Sequence, residues 1–199
     1  MRVCLVGVGA LGSHTALLLR NLPIQLRLID FDKVEARNIL SQFHPRTVVG
    51  RNKAQALQQT LHALYNWKVD AVPHRLSAEN VEVLLADAGL VVDCLDNAAS
   101  RSLLQNFVRA RAIPCVHGAL APDGQLGRVV WDDLFTIDAE DTPGQATCEG
   151  GAHLPFVASV AATLSVAIDR FVRRSECLST QIMPAGSLLL DLREAAQGS

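Results

Sequence analysis

Short apolar runs rich in β-branched residues alternate along the chain with longer segments of helical periodicity. This alternation is typical of α/β proteins, in which helices cover both faces of a mainly parallel sheet. The apolar runs predict strands at residues 2–6, 25–29, 68–72, 90–93 and 114–117, and the segments between them predict helices at residues 10–21, 53–65, 78–86 and 99–112. Residues 1–118 are therefore expected to form a Rossmann-like core.

The pattern changes after residue 118. It predicts a further strand at residues 124–131, a long helix at 156–173 and a last strand at 187–192. Residues 132–151 are acidic, contain proline and glycine and lack periodicity, which predicts a crossover loop over a site. We expect residues 1–199 to form a single domain, in which residues 152–199 add a helix and an antiparallel extension of the sheet.

Composition excludes several classes of function. The chain has 199 residues, of which 49% are hydrophobic, and its formal net charge is -2 with a pI near 6.3. These values give no support for a nucleic-acid or membrane partner. The most apolar stretch, residues 156–172, carries Asp169 and Arg170 and is predicted to be a buried helix rather than a membrane span.

Cysteine usage indicates a reducing compartment. The five cysteines are odd in number and form no CxxC pair, so neither a disulfide framework nor a four-cysteine zinc site is expected. The N-terminal apolar run ends in glycines rather than in a signal-peptide cleavage site. We expect a cytoplasmic protein without zinc.

The first predicted strand leads directly into Gly7-Val8-Gly9-Ala10-Leu11-Gly12 and then into a helix. Gly7 permits a tight turn, Gly9 allows the backbone to approach a phosphate, and Gly12 allows close packing of helix and strand. The N-terminus of the helix favours an anion. Asp30 ends the second strand, where it can accept hydrogen bonds from ribose hydroxyls. This unit predicts nucleotide binding but does not separate NAD from ATP.

A second group of polar residues converges on the glycine loop. Asp30 and Asp32 end the second strand and Asp96-Asn97 follow the fourth, and ligands of open α/β sheets bind outside the carboxyl ends of the strands. Lys53, at the start of a helix, can place its charge on phosphates. Carboxylates beside a polyphosphate suggest Mg²⁺. The set favours nucleotidyl or phosphoryl transfer over hydride transfer.

The ordered pattern GxGxxG…DxDxVExxNxxxQF…VGxxKA…DCxDN resembles the ubiquitin-activating enzyme superfamily, in its ThiF/MoeB-type branch. The resemblance extends from Met1 to about Leu192 and includes Thr147-Cys148-Glu149. It implies adenylation, with ATP and Mg²⁺, of the C-terminal carboxylate of a ubiquitin-like protein or peptide. It also implies a homodimer or a heterodimer with a related subunit.

The resemblance also implies roles for individual residues. Asn38 and Lys53 contact the phosphates, and Asp96 is the magnesium-linked acid needed for adenylation. Cys148 matches a position that forms a covalent sulfur link in some relatives, and it is either a nucleophile or persulfide carrier or an ordinary loop cysteine. The cofactor-binding positions are Gly7, Gly9, Leu11, Gly12, Asp30, Asp32, Gln42 (as support for the loop) and Asn97.

The chain departs from the family pattern at Ser41, where relatives have a phosphate-binding arginine. Arg37, Arg46 or Arg51 are candidates to replace it. We also expect the protein to lack the N-terminal helix that supplies an arginine to the partner's site in relatives, and the paired CxxC motifs of the structural zinc are absent from residues 1–199. Two alternatives to an adenylyltransferase therefore stay open: a non-catalytic nucleotide-binding scaffold subunit of an activating-enzyme pair and, with less support, an NAD-dependent oxidoreductase.

The long predicted helix at residues 156–173 is apolar or small on nearly all sides. Such a helix must be buried on most of its faces, and its small residues would allow a second helix to approach closely. This pattern favours a dimer. The alternative is that the helix lies across the sheet and is buried within one subunit.

Overall fold

The computed structural model describes residues 1–121, 123–137, 151 and 153–195. Eight strands form one sheet in the order β3-β2-β1-β4-β5-β6-β7-β8. The strands are β1 Arg2–Val6, β2 Gln25–Ile29, β3 Asp70–Val72, β4 Leu90–Asp93, β5 Cys115–Leu120, β6 Gly127–Trp131, β7 Glu176–Met183 and β8 Gly186–Glu194. The α-helices are α1 Ala10–Leu18, α2 Lys53–Tyr65, α3 Val81–Leu85, α4 Ala98–Ala110 and α5 Leu154–Arg174.

The first five strands are parallel, and β1 lies between β2 and β4. The chain therefore crosses in opposite directions on leaving β1 and β3, which opens a crevice at the carboxyl ends of β1 and β4. Strands β6, β7 and β8 are antiparallel to their neighbours. The predicted class, a Rossmann-like and mainly parallel sheet with a C-terminal antiparallel extension, is confirmed.

The alternation of side chains along β1 divides the core between the two faces of the sheet. Val3 and Leu5 belong to the cluster that includes residues of α1, α2 and α5. Cys4 and Val6 belong to the cluster that includes residues of α3 and α4. Because successive side chains of a strand point to opposite faces, the fully apolar β1 is buried from both sides.

The last strand predicted at residues 187–192 is present as β8, but the strand that precedes it, β7, was not predicted. Ser179 and Thr180 interrupt the apolar pattern of β7, yet both are buried. The Ser179 hydroxyl accepts a hydrogen bond from the Trp131 backbone N–H at 3.2 Å, which satisfies it inside the sheet. Helix α3 is also shorter than predicted, since a turn closed by the Ser77 N–H and the Asn80 side chain, 2.8 Å apart, precedes it.

Helix α5 is long and apolar enough to cross a membrane by length and composition alone, but it packs against α1, β5, β6 and β7. One broad face is buried within the chain, including Val160, Leu164 and Ile168. The opposite face, with Ala158, Ala162 and the half-exposed Val166, faces outward. Intrachain packing thus accounts for one face of this helix and leaves the other uncovered.

The final strand β8 forms one edge of the sheet. Four of its leucines are exposed by 45–55% of their surface: Leu188, Leu189, Leu190 and Leu192. An edge strand with exposed apolar side chains on both faces offers unpaired backbone groups and apolar surface together.

Candidate functional site

A cleft lies at the carboxyl ends of β1, β2 and β4. Seven of the residues predicted from the sequence line it: Gly7, Gly9, Asp30, Asp32, Lys53, Asp96 and Asn97. The cleft is shallow, with a volume of about 70 Å³. The convergence predicted from strand order is therefore present.

The glycine loop is shaped by two close backbone approaches. Gly7 has φ = 91°, and a Cβ there would lie 2.6 Å from the carbonyl oxygen of Cys94. A Cβ at Gly12 would lie 1.9 Å from the carbonyl oxygen of Gly7. Gly9 differs, because a Cβ there would meet no protein atom within 4 Å. The fold requires glycine at positions 7 and 12, and the free space beside Gly9 is available to a ligand.

Asp30 holds the glycine loop from the end of β2. Its Oδ2 accepts a hydrogen bond from the Val8 N–H at 2.6 Å, and its Oδ1 accepts one from the Asp32 N–H at 2.8 Å. Burial raises the pKa of Asp30, against the opposing effects of Lys53 and of these two hydrogen bonds. Asp30 therefore shapes the loop. Its role in ribose binding remains a prediction, in which the remaining lone pairs of its carboxylate oxygens would accept hydrogen bonds from the ribose hydroxyls.

Lys53 is held by a neighbouring carboxylate. Its Nζ lies 3.1 Å from Asp32 Oδ2, and its backbone N–H donates to the Asp32 carbonyl at 2.8 Å. The N-cap of α2, Asn52, donates from its side chain to the carbonyl of Asp30 at 2.8 Å. The start of α2 is thus tied to the end of β2, which keeps the ammonium of Lys53 at the cleft.

Asp96 and Asn97 enter the cleft between β4 and α4. Asn97 is the N-cap of α4 and accepts a hydrogen bond from the Ser100 N–H at 2.9 Å. Asp96 is exposed and accepts a hydrogen bond from Asn97 Nδ2 at 3.4 Å. An exposed carboxylate of this kind could hold Mg²⁺, which usually binds one or two carboxylates together with phosphate oxygens and water. No group of three or more metal-ligating side chains occurs within the described ranges.

Four further predicted positions do not line the cleft, and one cannot be placed. The Leu11 side chain packs in the core, and Gly12 faces Gly7. Asn38 accepts a hydrogen bond from the Glu35 N–H at 2.9 Å, and Gln42 lines a different cavity. Cys148 lies outside the described residues. The roles predicted for these five residues stay predictions.

Sequence reasoning missed the outer wall of the cleft, where Arg75 lies with its guanidinium carbon 3.8 Å from the centre of the Phe31 ring. The other lining residues that were not predicted are Val6, Ile29, His74, Leu76, Cys94, Leu95 and Ser100. The position of His74, Arg75 and Leu76 just after β3 could have indicated the wall of the cleft, because the residues that follow parallel strands meet at one edge of the sheet. None of the arginines considered as replacements at Ser41 lines the cleft, whereas Arg75 does.

A larger cavity of about 650 Å³ lies between the 39–51 loop and α2, outside the cleft, and its lining residue His44 contacts the glycine loop. Two buried acceptors there, Gln42 Oε1 and His44 Nδ1, have no partner among the described residues. Burial lowers the pKa of His44 to about 4, so its ring is neutral, and its Nε2 lies 3.3 Å from the Val8 carbonyl. Neither group carries a charge that would suit a phosphate.

Comparison with known proteins matches residues 1–180 to the ThiF family. The adenylyltransferase and sulfurtransferase UBA4 of Meyerozyma guilliermondii is 30% identical over 175 residues, covering 83% of this chain and 41% of that protein. The molybdopterin-synthase adenylyltransferase of Escherichia coli is 31% identical over 137 residues, covering 66% of this chain and 55% of that protein. The chain thus spans about half the length of these relatives.

Solved structures show the same fold. E. coli MccB, crystallised with MccA-N7isoASN, superposes with a TM-score of 0.76 at 14% identity, covering 100% of this chain and 66% of MccB.

Proposed function

The chain belongs to the ThiF family, and from that membership we propose that it adenylates a carboxylate with ATP. The two relatives described above are both named adenylyltransferases. The observation that carries the proposal is the cleft that combines the glycine loop, Lys53 and the exposed carboxylate of Asp96. Hydride transfer would need neither a lysine nor a magnesium-binding carboxylate.

In the proposed reaction, an oxygen of the substrate carboxylate attacks the α-phosphorus of ATP. A bond forms between that oxygen and phosphorus, the bond from the α-phosphorus to its bridging oxygen breaks, and pyrophosphate leaves. No protein base is needed because the attacking carboxylate is already ionised. Catalysis rests on positioning and on stabilisation of the phosphate charge.

The proposed contributions of the chain follow from its geometry. The N-terminus of α1 and the open space at Gly9 would receive phosphate oxygens, Lys53 would supply positive charge, and Asp96 would hold Mg²⁺. Bound Mg²⁺ would neutralise charge on the phosphates. Arg75, on the outer wall, would supply the positive charge that relatives obtain from an arginine at the position of Ser41.

We propose the C-terminal carboxylate of a ubiquitin-like protein or peptide as the substrate, on the basis of the family resemblance. The decisive measurement is ATP–pyrophosphate exchange with candidate ubiquitin-like proteins from the same source. Exchange that depends on both the partner and its C-terminal carboxylate is expected. ATP binding without exchange would support the scaffold alternative, and binding of NAD in preference to MgATP would support the oxidoreductase.

We further propose that the chain associates with a second copy or with a related subunit. The uncovered face of α5 and the leucine-rich edge β8 support this proposal, since both leave apolar surface exposed. At micromolar concentration, sedimentation should give a mass near twice 21.4 kDa. Val166→Glu, on the uncovered face, is expected to weaken the association at least tenfold.

Val83→Glu is the matched control, because Val83 is 76% exposed on α3, away from both apolar surfaces. The control should keep the mass of the unchanged protein. A mass of 21.4 kDa for the unchanged protein, with and without MgATP, would contradict self-association and leave only a different subunit as partner.

A further inference from the structure

A buried histidine beside the cleft bridges two carboxylates. His117 lies in β5 and Asp93 ends β4, and both side chains are completely buried. His117 Nδ1 is 2.7 Å from Asp93 Oδ2, and its Nε2 is 3.1 Å from Asp132 Oδ1. Only a protonated ring can donate from both nitrogens. An imidazolium between two ionised acids satisfies both contacts.

The pKa shifts agree with this geometry. Burial alone would lower the pKa of His117, but the hydrogen bonds with Asp132 and Asp93 raise it to about 11. Burial would raise the pKa of Asp132, but the hydrogen bonds from His117, Arg109 and Gln105 lower it to about 2. The histidine is charged and Asp132 is ionised throughout the physiological range.

Helix α4 supports the bridge through three residues spaced four apart on one face. Arg101 lies 3.7 Å from Asp93 and donates hydrogen bonds to the carbonyls of Leu95 and Gly118. Gln105 donates to Asp132 Oδ1 at 2.9 Å, and Arg109 donates to Asp132 Oδ2 at 2.7 Å. Each carboxylate therefore has a second cationic neighbour besides His117.

The bridge connects two segments that come from distant parts of the sequence. Asp93 Oδ1 accepts a hydrogen bond from the Leu95 N–H at 2.9 Å, which fixes the turn immediately before Asp96. Asp132 begins the short 3-10 helix after β6. Phe135, at the end of that helix, stacks on the His117 ring at 4.0 Å with an interplanar angle of 3°. One ring thus contacts both segments.

A catalytic reading of the same residues fails. Cys115 Sγ lies 3.6 Å from His117 Nε2, in an arrangement that superficially matches a cysteine nucleophile and its base. Cys115 is only 2% exposed, and burial raises the pKa of its thiol. Burial closes the sulfur to a substrate, and the raised pKa disfavours the thiolate.

We propose that His117 is a positioning residue: by bridging Asp93 and Asp132, it fixes the turn that carries Asp96 relative to the segment that follows β6. The effect on catalysis rests on the proposed adenylation, because Asp96 is the residue being positioned. The structural tie itself does not, so it can be tested whether or not the protein has that activity.

Amide hydrogen exchange tests the tie directly. In His117→Gln, which can donate to only one of the two acids, exchange at the Leu95 and Phe135 amides should accelerate together by at least tenfold. Val116→Ala is the matched control, because Val116 is a fully buried neighbour in β5 that belongs to the apolar core. It should lower stability without this selective effect. Equal acceleration in both variants, or none in His117→Gln, would overturn the proposal.

The charge on the bridge is tested by the pH dependence of unfolding. A histidine with a raised pKa in the folded state stabilises fully below its unfolded pKa of about 6.5 and loses this contribution as pH rises towards its folded pKa. We therefore expect the unfolding equilibrium constant of the unchanged protein to rise between pH 7 and 8.5. For each pH unit, this rise should exceed that of His117→Gln by a factor of up to about ten. The other charged or titratable groups facing the ring, Asp93, Asp132, Arg101, Arg109 and Cys115, are common to both proteins. Parallel curves would contradict a charged bridge.

If adenylation is observed, kinetics test the functional part. His117→Gln should reduce the turnover of ATP–pyrophosphate exchange at least tenfold while the Kd for ATP changes less than threefold, because the glycine loop is untouched. Asp132→Asn should reduce turnover similarly, and the double variant should lose no more than His117→Gln alone. The positioning role would be overturned if the effects of His117→Gln and Asp132→Asn on turnover multiplied in the double variant. It would also be overturned if turnover fell only in proportion to stability, as in Val116→Ala. Absence of exchange in the unchanged protein would contradict the proposed function and leave the hydrogen-exchange result to decide on the tie.

Discussion

Gly9→Ala is expected to keep the fold and to lose at least tenfold in affinity for MgATP. Apart from its chain neighbours, a methyl group at position 9 meets no protein atom within 4 Å, and the φ of −77° at Gly9 is negative, although the ψ of −148° lies outside the main regions of L-residues and should lower stability modestly. The methyl group would instead occupy the space in which the phosphates are proposed to lie. Calorimetric titration with MgATP, beside a thermal melt of the same sample, measures both properties.

Gly12→Ala is the matched comparison and should show the opposite behaviour. Its new Cβ would lie 1.9 Å from the Gly7 carbonyl oxygen and 3.0 Å from the Leu5 side chain. Helix α1 would have to move away from β1, at about 3 kcal/mol or more in stability. A Gly9→Ala protein with undiminished affinity would place the phosphates elsewhere, and an unchanged Tm for Gly12→Ala would contradict the described packing.

Asp96→Asn is expected to reduce ATP–pyrophosphate exchange by about 10²–10³-fold while the protein stays folded. An amide retains the shape of the side chain but loses the charge that a hard cation prefers. Asp96 is exposed, so its replacement should leave Tm unchanged. Exchange measured at saturating MgATP separates a lost catalytic contribution from weakened binding.

Asp169→Asn is the control for the loss of one negative charge. Asp169 lies on α5, distant in sequence from the residues that line the cleft, and forms an exposed ion pair with Arg173. Exchange by this variant should match the unchanged protein. Retention of full exchange by Asp96→Asn would show that the magnesium-binding acid is a different residue, and Asp32, also in the cleft, would be examined next.

The sequence predicted best those elements whose apolar residues follow a regular strand or helix pattern. Strands β1, β2 and β4 begin and end where predicted, as does α2, whose Asn52 N-cap accepts from the Gln55 N–H at 3.1 Å. Strand β7 could not be predicted in the same way, because the polar residues Ser179 and Thr180 interrupt its apolar pattern. Both are buried because pairing with other strands places β7 inside the sheet. Local pattern fails where a partner strand supplies the hydrogen bonds.

The same distinction holds for the site. The rule that ligands bind at the carboxyl ends of parallel strands was sufficient to bring Asp30, Lys53 and Asp96 to one cleft. It did not predict that Asp32 would pair with Lys53, nor that His117 would meet Asp132. These contacts depend on side-chain direction and on the antiparallel pairing of β5 with β6, which the spacing of residues along the chain does not encode.

The close approach of Gly7 to Cys94 also determines when the glycine loop can take its turn during synthesis. The backbone against which the loop turns is made several seconds after the loop itself, at roughly 5–20 residues per second. Until β4 has emerged and paired with β1, the nascent chain has the glycines without their turn. The glycine loop and the turn that carries Asp96 are therefore ordered together, when β1 and β4 pair.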